Sequence, residues 1–164
     1  MENDSVLHIR RIHQTDNQSL AKIIRASLAE FGADHPGTVY FDPSTDALYE
    51  LFSRECSAYF VAEYNGQIVG GGGIFPTQGL PSDTCELVKM YLVPEARGKG
   101  FGKSLMEQCM QCAVEFGFDK IYLESMPELK LALKIYEKFG FEYLPASLGN
   151  TGHFGCDVWM LRKL

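Results

Sequence analysis

The most constraining feature of this 164-residue sequence is a glycine-rich segment between an apolar run and an amphipathic stretch. Residues 90–93 have the composition of a strand end, and the apolar residues from Phe101 onwards recur at helical spacing. Between them stand Gly98, Gly100 and Gly102, which let a backbone approach a ligand closely. A helix N-terminus carries unpaired N–H groups and partial positive charge. The segment therefore predicts a strand–loop–helix unit that binds a phosphate group.

Basic side chains surround these glycines and favour an anionic ligand; they are Arg97, Lys99 and Lys103. Two common phosphate-binding motifs do not fit the spacing. A Walker P-loop and a Rossmann fingerprint that start at Gly98 both require glycine at the position of Lys103. What remains is the pattern Arg-x-x-Gly-x-Gly, which ends at Gly102.

Hydrophobic periodicity along the chain predicts a mixed α/β fold with the element order βααβββαβαββ. Asn65-Gly66 is a strong signal for an antiparallel hairpin, and later strands alternate with helices. Such a chain forms a mixed sheet of about six to seven strands, flanked by about four helices on both faces. We expect one domain over residues 1–164. The predicted strands are residues 6–12, 59–64, 67–75, 86–93, 120–124, 141–144 and 158–161.

The helix boundaries are predicted from proline and glycine. Asp42-Pro43 opens the second helix, Gly117 ends the third, Pro127 lies in the first turn of the fourth and Gly140 closes it.

Composition excludes several classes of function. The net charge is −6, whereas a general nucleic-acid binder needs a clustered basic surface. Residues 1–4 are polar and acidic, which is unlike a signal peptide, and no run approaches the roughly 20 apolar residues of a membrane span. We therefore expect a cytoplasmic protein with five free cysteines and neither nucleic-acid nor membrane partners.

A second motif lies downstream of the glycines. Residues 132–141 read Ala-Leu-Lys-Ile-Tyr-Glu-Lys-Phe-Gly-Phe, a helix that ends in Tyr-Glu-Lys-x-Gly-Phe. Together with Arg-x-x-Gly-x-Gly shortly after a strand that ends at Val93-Pro94, it resembles the GNAT-type N-acetyltransferases. The resemblance is motif-specific over residues 86–143 and extends in element order over residues 6–164.

This resemblance implies acetyl-coenzyme A as the co-substrate, with no metal. The pyrophosphate of acetyl-coenzyme A would lie on the glycine loop, which consists of Arg97, Gly98, Lys99, Gly100, Phe101, Gly102 and Lys103. At a bulge, the backbone of Tyr91, Leu92 and Val93 would pair with the pantetheine arm and polarise the thioester carbonyl, in the manner of an oxyanion hole. The alternative is a glycine-rich turn with solvated lysines, which does not explain glycines at a helix start, where they lower helix propensity.

Tyr136 is the candidate general acid. A phenol with a pKa of about 10 can donate a proton to a departing thiolate whose acid has a pKa of about 8.5. Tyr136 could instead contact the cofactor without proton transfer, or simply pack. Many members of the family carry asparagine seven residues before this tyrosine, where the present chain has Leu129.

Glu86 is the candidate general base, because an amine that arrives protonated must lose a proton before it attacks. It could instead bind the substrate ammonium or be a solvated strand residue, and Glu63 and Glu124 are weaker candidates for the base. Strict alternation places Glu86 on the same face as Met90, whereas a bulge would switch the register.

The polar segment 149–157 contains His153, a candidate for acceptor binding. His153 and Cys156, with Cys109 and Cys112, also have the composition of a zinc site. We do not expect one, because Cys109 and Cys112 lie on the apolar face of a helix, where cysteines behave as small hydrophobes.

The sequence thus predicts an N-acetyltransferase that moves acetyl to a primary amine by direct attack in a ternary complex. The acceptor is a small-molecule or peptide amine. Two alternatives remain: a non-catalytic acyl-coenzyme A sensor, and an acyltransferase with another donor or acceptor. Many members of the family dimerise, so a homodimer also remains open.

Overall fold

The computed structural model describes residues 6–149, 152 and 154–164. Seven strands and four α-helices occur in this part of the chain, and their order is the predicted one. The strands are β1 Leu7–Arg11, β2 Ala58–Tyr64, β3 Gln67–Phe75, β4 Thr84–Leu92, β5 Lys120–Ser125, β6 Glu142–Tyr143 and β7 Val158–Lys163. The helices are α1 Asn17–Glu30, α2 Leu48–Leu51, α3 Phe101–Glu115 and α4 Lys130–Lys138. Within the described ranges, no helix has both the length and the apolar character needed to cross a bilayer.

All seven strands form one sheet in the order β1-β2-β3-β4-β5-β7-β6. Among the described strands, only β4 and β5 pair in parallel, so the sheet is mixed, as predicted. Its two faces carry separate cores, and alternate residues of β2 contribute to one and the other. The first core includes α3 and α4, and the second includes α1 and α2.

Local sequence signals explain most of the boundaries. Asn65 and Gly66 both have positive φ, 52° and 76°, as a tight turn between β2 and β3 requires. Gly117 and Gly140 follow α3 and α4 in the left-handed conformation, as predicted. Two boundaries were predicted wrongly. Pro127 lies in a turn before α4, and Asp42-Pro43 opens a 3₁₀ turn, Pro43–Asp46, with the single-turn helix α2 after it.

A gap opens between the two parallel strands. β4 pairs with β5 only from Thr84 to Glu86, although β4 continues to Leu92 and β5 continues to Ser125. The ends of the two strands therefore diverge inside the sheet, where backbone groups on one side of β4 have no neighbouring strand.

A bulge at Lys89 changes the register of β4. Gly71 lies opposite Tyr91, and Gly73 lies opposite Val88. An advance of two residues along β3 therefore corresponds to three residues along β4, which contains one extra residue. Lys89 has a φ of 53° at this point. Val88 and Tyr91 therefore contribute to the second core, whereas Met90 packs against the first. Uninterrupted alternation along this strand, which would place residues 86 and 90 on one face, is thus wrong.

Glycines in β3 make room for the side chain that holds this bulge. A Cβ at Gly71 would lie 2.6 Å from Cε1 of Tyr59, and one at Gly73 would lie 2.8 Å from Cδ2 of the same ring. The ring lies over these glycines, and its hydroxyl donates a 2.8 Å hydrogen bond to the Lys89 carbonyl. The glycines of β3 therefore leave room for Tyr59, which in turn holds the bulge of β4 in place.

Candidate active site

Two cavities meet where β4 and β5 diverge. The large groove, of about 850 Å³, lies between the end of β4, the glycine loop, α1 and α4. The small cavity, of about 50 Å³, lies between β4 and β5 and includes Glu86 and Cys156 in its lining. Four residues border both spaces: Met90, Tyr91, Leu129 and Tyr136. A ligand in the groove and one in the small cavity would therefore touch at this boundary.

The glycine loop presents its backbone to the large groove. Gly98 and Gly100 have φ values of 74° and 83°, and a Cβ at either would meet no atom within 4 Å. Gly100 is the N-cap of α3, and within the described part of the chain it provides no side-chain hydrogen bond to the first turn. The Phe101 side chain is buried in the core, so this residue offers only its backbone. The geometry suits an anion at the helix N-terminus.

The basic residues near the loop have different roles. Both terminal nitrogens of Arg97 bond to Glu30 at 2.9 Å, which holds the pKa of that carboxyl below its usual value. Arg97 thus ties the loop to α1. Lys99 and Lys103 are exposed near the loop, and Lys103 lies 3.8 Å from Glu107. Two further lysines, both on α4, line the groove; they are Lys134 and Lys138.

The backbone of β4 directs one amide into the gap. The Val93 N–H donates to the Val69 carbonyl at 2.8 Å, towards β3. Because hydrogen bonding alternates along a strand, the Leu92 N–H points the other way, into the gap. The Leu92 carbonyl accepts a bond from Nε of Arg97 at 3.1 Å. Of the residues predicted to offer backbone groups here, Leu92 is therefore the one with its amide in position.

Two phenols lie at the boundary between the cavities. Burial raises the pKa of Tyr136 to about 12, and burial also raises the pKa of Tyr91. Both are therefore protonated at neutral pH and can act as donors. The side chain of Tyr91 was missed by sequence reasoning, which considered only its backbone. Leu129 also borders both cavities and makes this part of the boundary apolar.

Two of the three candidate bases line the small cavity, and the third does not. Glu86 is buried in the small cavity, and its Oε1 accepts a 3.1 Å hydrogen bond from Thr77. Glu124 lines the same cavity and accepts a 2.8 Å bond from the Tyr122 hydroxyl. Glu63 pairs with Arg10 at 2.7 Å and borders neither cavity. Glu86 and Glu124 remain candidates.

A lysine that the sequence reasoning overlooked also lines the small cavity. Lys89 is buried, and its Nζ lies 3.3 Å from Oδ2 of Asp42. Burial lowers the pKa of this lysine, and the nearby Asp42 opposes the shift.

The cysteines do not form the zinc set that their spacing allows. Cys109 and Cys112 lie in the first core, whereas Cys156 belongs to the second, on the other face of the sheet. Burial raises the pKa of Cys85 and of Cys156 to about 12, which makes both thiols poor nucleophiles. His153 lies outside the described residues, and the described part of the chain contains no cluster of metal-binding side chains.

A mixed sheet that splays over a glycine loop at a helix N-terminus defines an acetyltransferase of the GNAT class. The model of the acetyltransferase (GNAT) family matches residues 20–141, and the chain belongs to this family. It is 48% identical over 158 residues to the uncharacterized N-acetyltransferase YjgM of Escherichia coli, covering 95% of this chain and 94% of that protein. The protein is therefore a transferase.

Solved structures share the fold. A GNAT-family acetyltransferase of Staphylococcus aureus has a TM-score of 0.83 at 20% identity, over 97% of this chain and 99% of that one. The PaiA N-acetyltransferase of Thermoplasma acidophilum, in complex with coenzyme A, has a TM-score of 0.77 at 19% identity, also over 97% and 99%.

Proposed function

We propose that the protein transfers the acetyl group of acetyl-coenzyme A to a primary amine of a small-molecule or peptide acceptor. The observation that carries this proposal is the meeting of the two cavities at Tyr91, Leu129, Tyr136 and Met90. A donor in the large groove and an amine in the small cavity can react there directly, without a covalent enzyme intermediate. Holding both reactants in contact supplies much of the rate.

The donor fits the large groove. Its pyrophosphate would accept hydrogen bonds from the backbone N–H groups around Gly98 and Gly100. Lys103, in the groove lining, and the exposed Lys99 beside it would add positive charge. The pantetheine arm would extend along β4 towards the gap. That PaiA was solved with coenzyme A bound to the same fold supports this placement.

The chemistry uses three groups at the boundary. Glu86 accepts a proton from the acceptor ammonium, and the freed amine attacks the carbonyl carbon of the thioester. The Leu92 N–H stabilises the negative charge that develops on the carbonyl oxygen. When the C–S bond breaks, the thiolate leaves with its electron pair and takes a proton from Tyr136. The amide nitrogen loses its second proton to solvent, and proton exchange with solvent returns Glu86 and Tyr136 to their starting state.

A thiol-release assay tests the function. We expect the purified protein to bind acetyl-coenzyme A and to release free coenzyme A thiol only when a suitable amine from a broad panel is added. Acetyl-coenzyme A binding without turnover of any amine would indicate a sensor, and faster turnover of longer acyl donors would indicate a different donor. No binding by folded protein would contradict the proposal.

Replacing Glu86 by glutamine is expected to lower kcat/KM for the amine about a hundredfold, because the amide cannot accept the proton. The amide keeps the size of the side chain and can still bond to Thr77. Affinity for acetyl-coenzyme A, measured by calorimetry, should not change. Glu124→Gln is the matched control in the same cavity, and a larger loss there would make Glu124 the base.

A further inference from the structure

Lys89 has an unusual backbone conformation. Its φ of 53° is left-handed, a conformation that is unfavourable for a non-glycine residue. The Tyr59 hydroxyl secures its carbonyl, so the surrounding structure maintains this conformation. The lysine side chain lines the small cavity and is only 5% exposed. Strained residues of this kind occur often at functional sites.

The Lys89 ammonium has hydrogen-bonding capacity left. An ammonium carries three N–H donors. Within the described part of the chain, its one hydrogen bond goes to Oδ2 of Asp42, at the long distance of 3.3 Å. Lys89 is also the one basic side chain among the described residues that line the small cavity.

The same cavity therefore holds groups of opposite charge. Glu86 and Glu124 offer carboxylates to an incoming ammonium, and Lys89 offers donors to an anion. Glu86 and Lys89 are three residues apart on one strand, and the cavity of about 50 Å³ has room only for the reacting end of an acceptor. A molecule with an amine close to a carboxylate matches this arrangement.

Building on the proposed function, we propose that the acceptor is a free amino acid whose carboxylate is bound by Lys89 while its amino group lies against Glu86. A charge-assisted hydrogen bond in a buried site is stronger than a neutral one. A plain amine lacks the carboxylate and therefore cannot use the remaining donors of Lys89. Lys89 is thus a specificity-determining residue, and it takes no proton in the reaction.

The test compares each of the twenty standard amino acids with its α-amide in the thiol-release assay. An amide presents more of its amine as the free base at neutral pH, so without carboxylate recognition the amides would react faster. We expect at least one amino acid to exceed its amide in kcat/KM by about tenfold to a hundredfold, the range for one charge-assisted bond.

Variants at position 89 test whether Lys89 causes the preference for amino acids over their amides. Lys89→Met keeps the length of the side chain and should remove the preference, mainly through KM for the amino acid. Lys89→Arg keeps the charge and should retain part of the preference. Lys22→Met changes an exposed lysine of α1 and should behave as wild type. Circular dichroism and the calorimetric Kd for acetyl-coenzyme A report whether each variant is folded and binds the donor.

Two results would overturn the inference and leave the proposed function intact: amides or plain amines that react as well as amino acids, or a preference that survives in Lys89→Met. Turnover of none of the twenty amino acids by protein that binds acetyl-coenzyme A would also overturn it. Failure of wild-type protein to bind acetyl-coenzyme A would instead overturn the proposed function itself.

Discussion

Replacing Gly100 by glutamate is expected to weaken acetyl-coenzyme A binding at least about a hundredfold, or about 2.7 kcal/mol. Gly100 is the N-cap of α3, and its open side faces the large groove. A carboxylate there would occupy the place of the pyrophosphate and repel it. Titration calorimetry of the variant and the wild type in parallel measures the loss.

Gly117→Glu is the matched control for this substitution. Gly117 follows the same helix at its other end, has a φ of 90° and would give a Cβ no contact within 4 Å. Both substitutions impose similar backbone strain, and a carboxylate at a helix C-terminus is the less favourable of the two for folding. If both variants lose binding equally, or if Gly100→Glu binds as wild type does, the pyrophosphate lies elsewhere.

Replacing Tyr136 by phenylalanine is expected to lower kcat about a hundredfold and to leave the Kd for acetyl-coenzyme A unchanged within about twofold. Phenylalanine keeps the ring that packs 5.9 Å from that of Phe141 and removes only the hydroxyl. Because burial raises the pKa of Tyr136 to about 12, the wild-type phenol is protonated when the thiolate departs. Steady-state kinetics combined with calorimetry separates loss of chemistry from loss of binding.

Tyr91→Phe is the informative comparison, because Tyr91 borders the same two cavities. We expect its kcat to stay within a few-fold of wild type. A large loss in Tyr91→Phe with none in Tyr136→Phe would transfer the role of proton donor to Tyr91. Normal kcat in both variants would show that neither phenol protonates the thiolate.

The parts of the fold that could be predicted are those with local causes. Asn65-Gly66 requires only its own two positive φ angles to form a turn, and a glycine at the end of a helix acts in the same way. The glycine loop was recognisable because its function depends on backbone shape over a few consecutive residues. These signals do not depend on which strand pairs with which.

The parts that could not be predicted depend on pairing between distant residues. The residues of β4 around Lys89 carry no turn or glycine signal, and only the register of the strand against Gly71 and Gly73 shows that a residue is inserted. The bond between Arg97 and Glu30 joins residues 67 positions apart, so the sequence motif alone made the arginine a ligand for phosphate. Lys89 looked like an ordinary strand lysine for the same reason.

The divergence of β4 from β5 leaves an unpaired strand edge in the middle of the sheet. Unpaired strand edges can pair with strands of other proteins and promote aggregation. Most proteins avoid this by covering such edges or by placing charged side chains on them. Here Leu129 and Tyr136 line the groove together with Leu92 and narrow the access to this stretch, which favours a thin, flexible chain over another strand. The fold thereby keeps the hydrogen-bonding capacity of a sheet edge available to a small ligand.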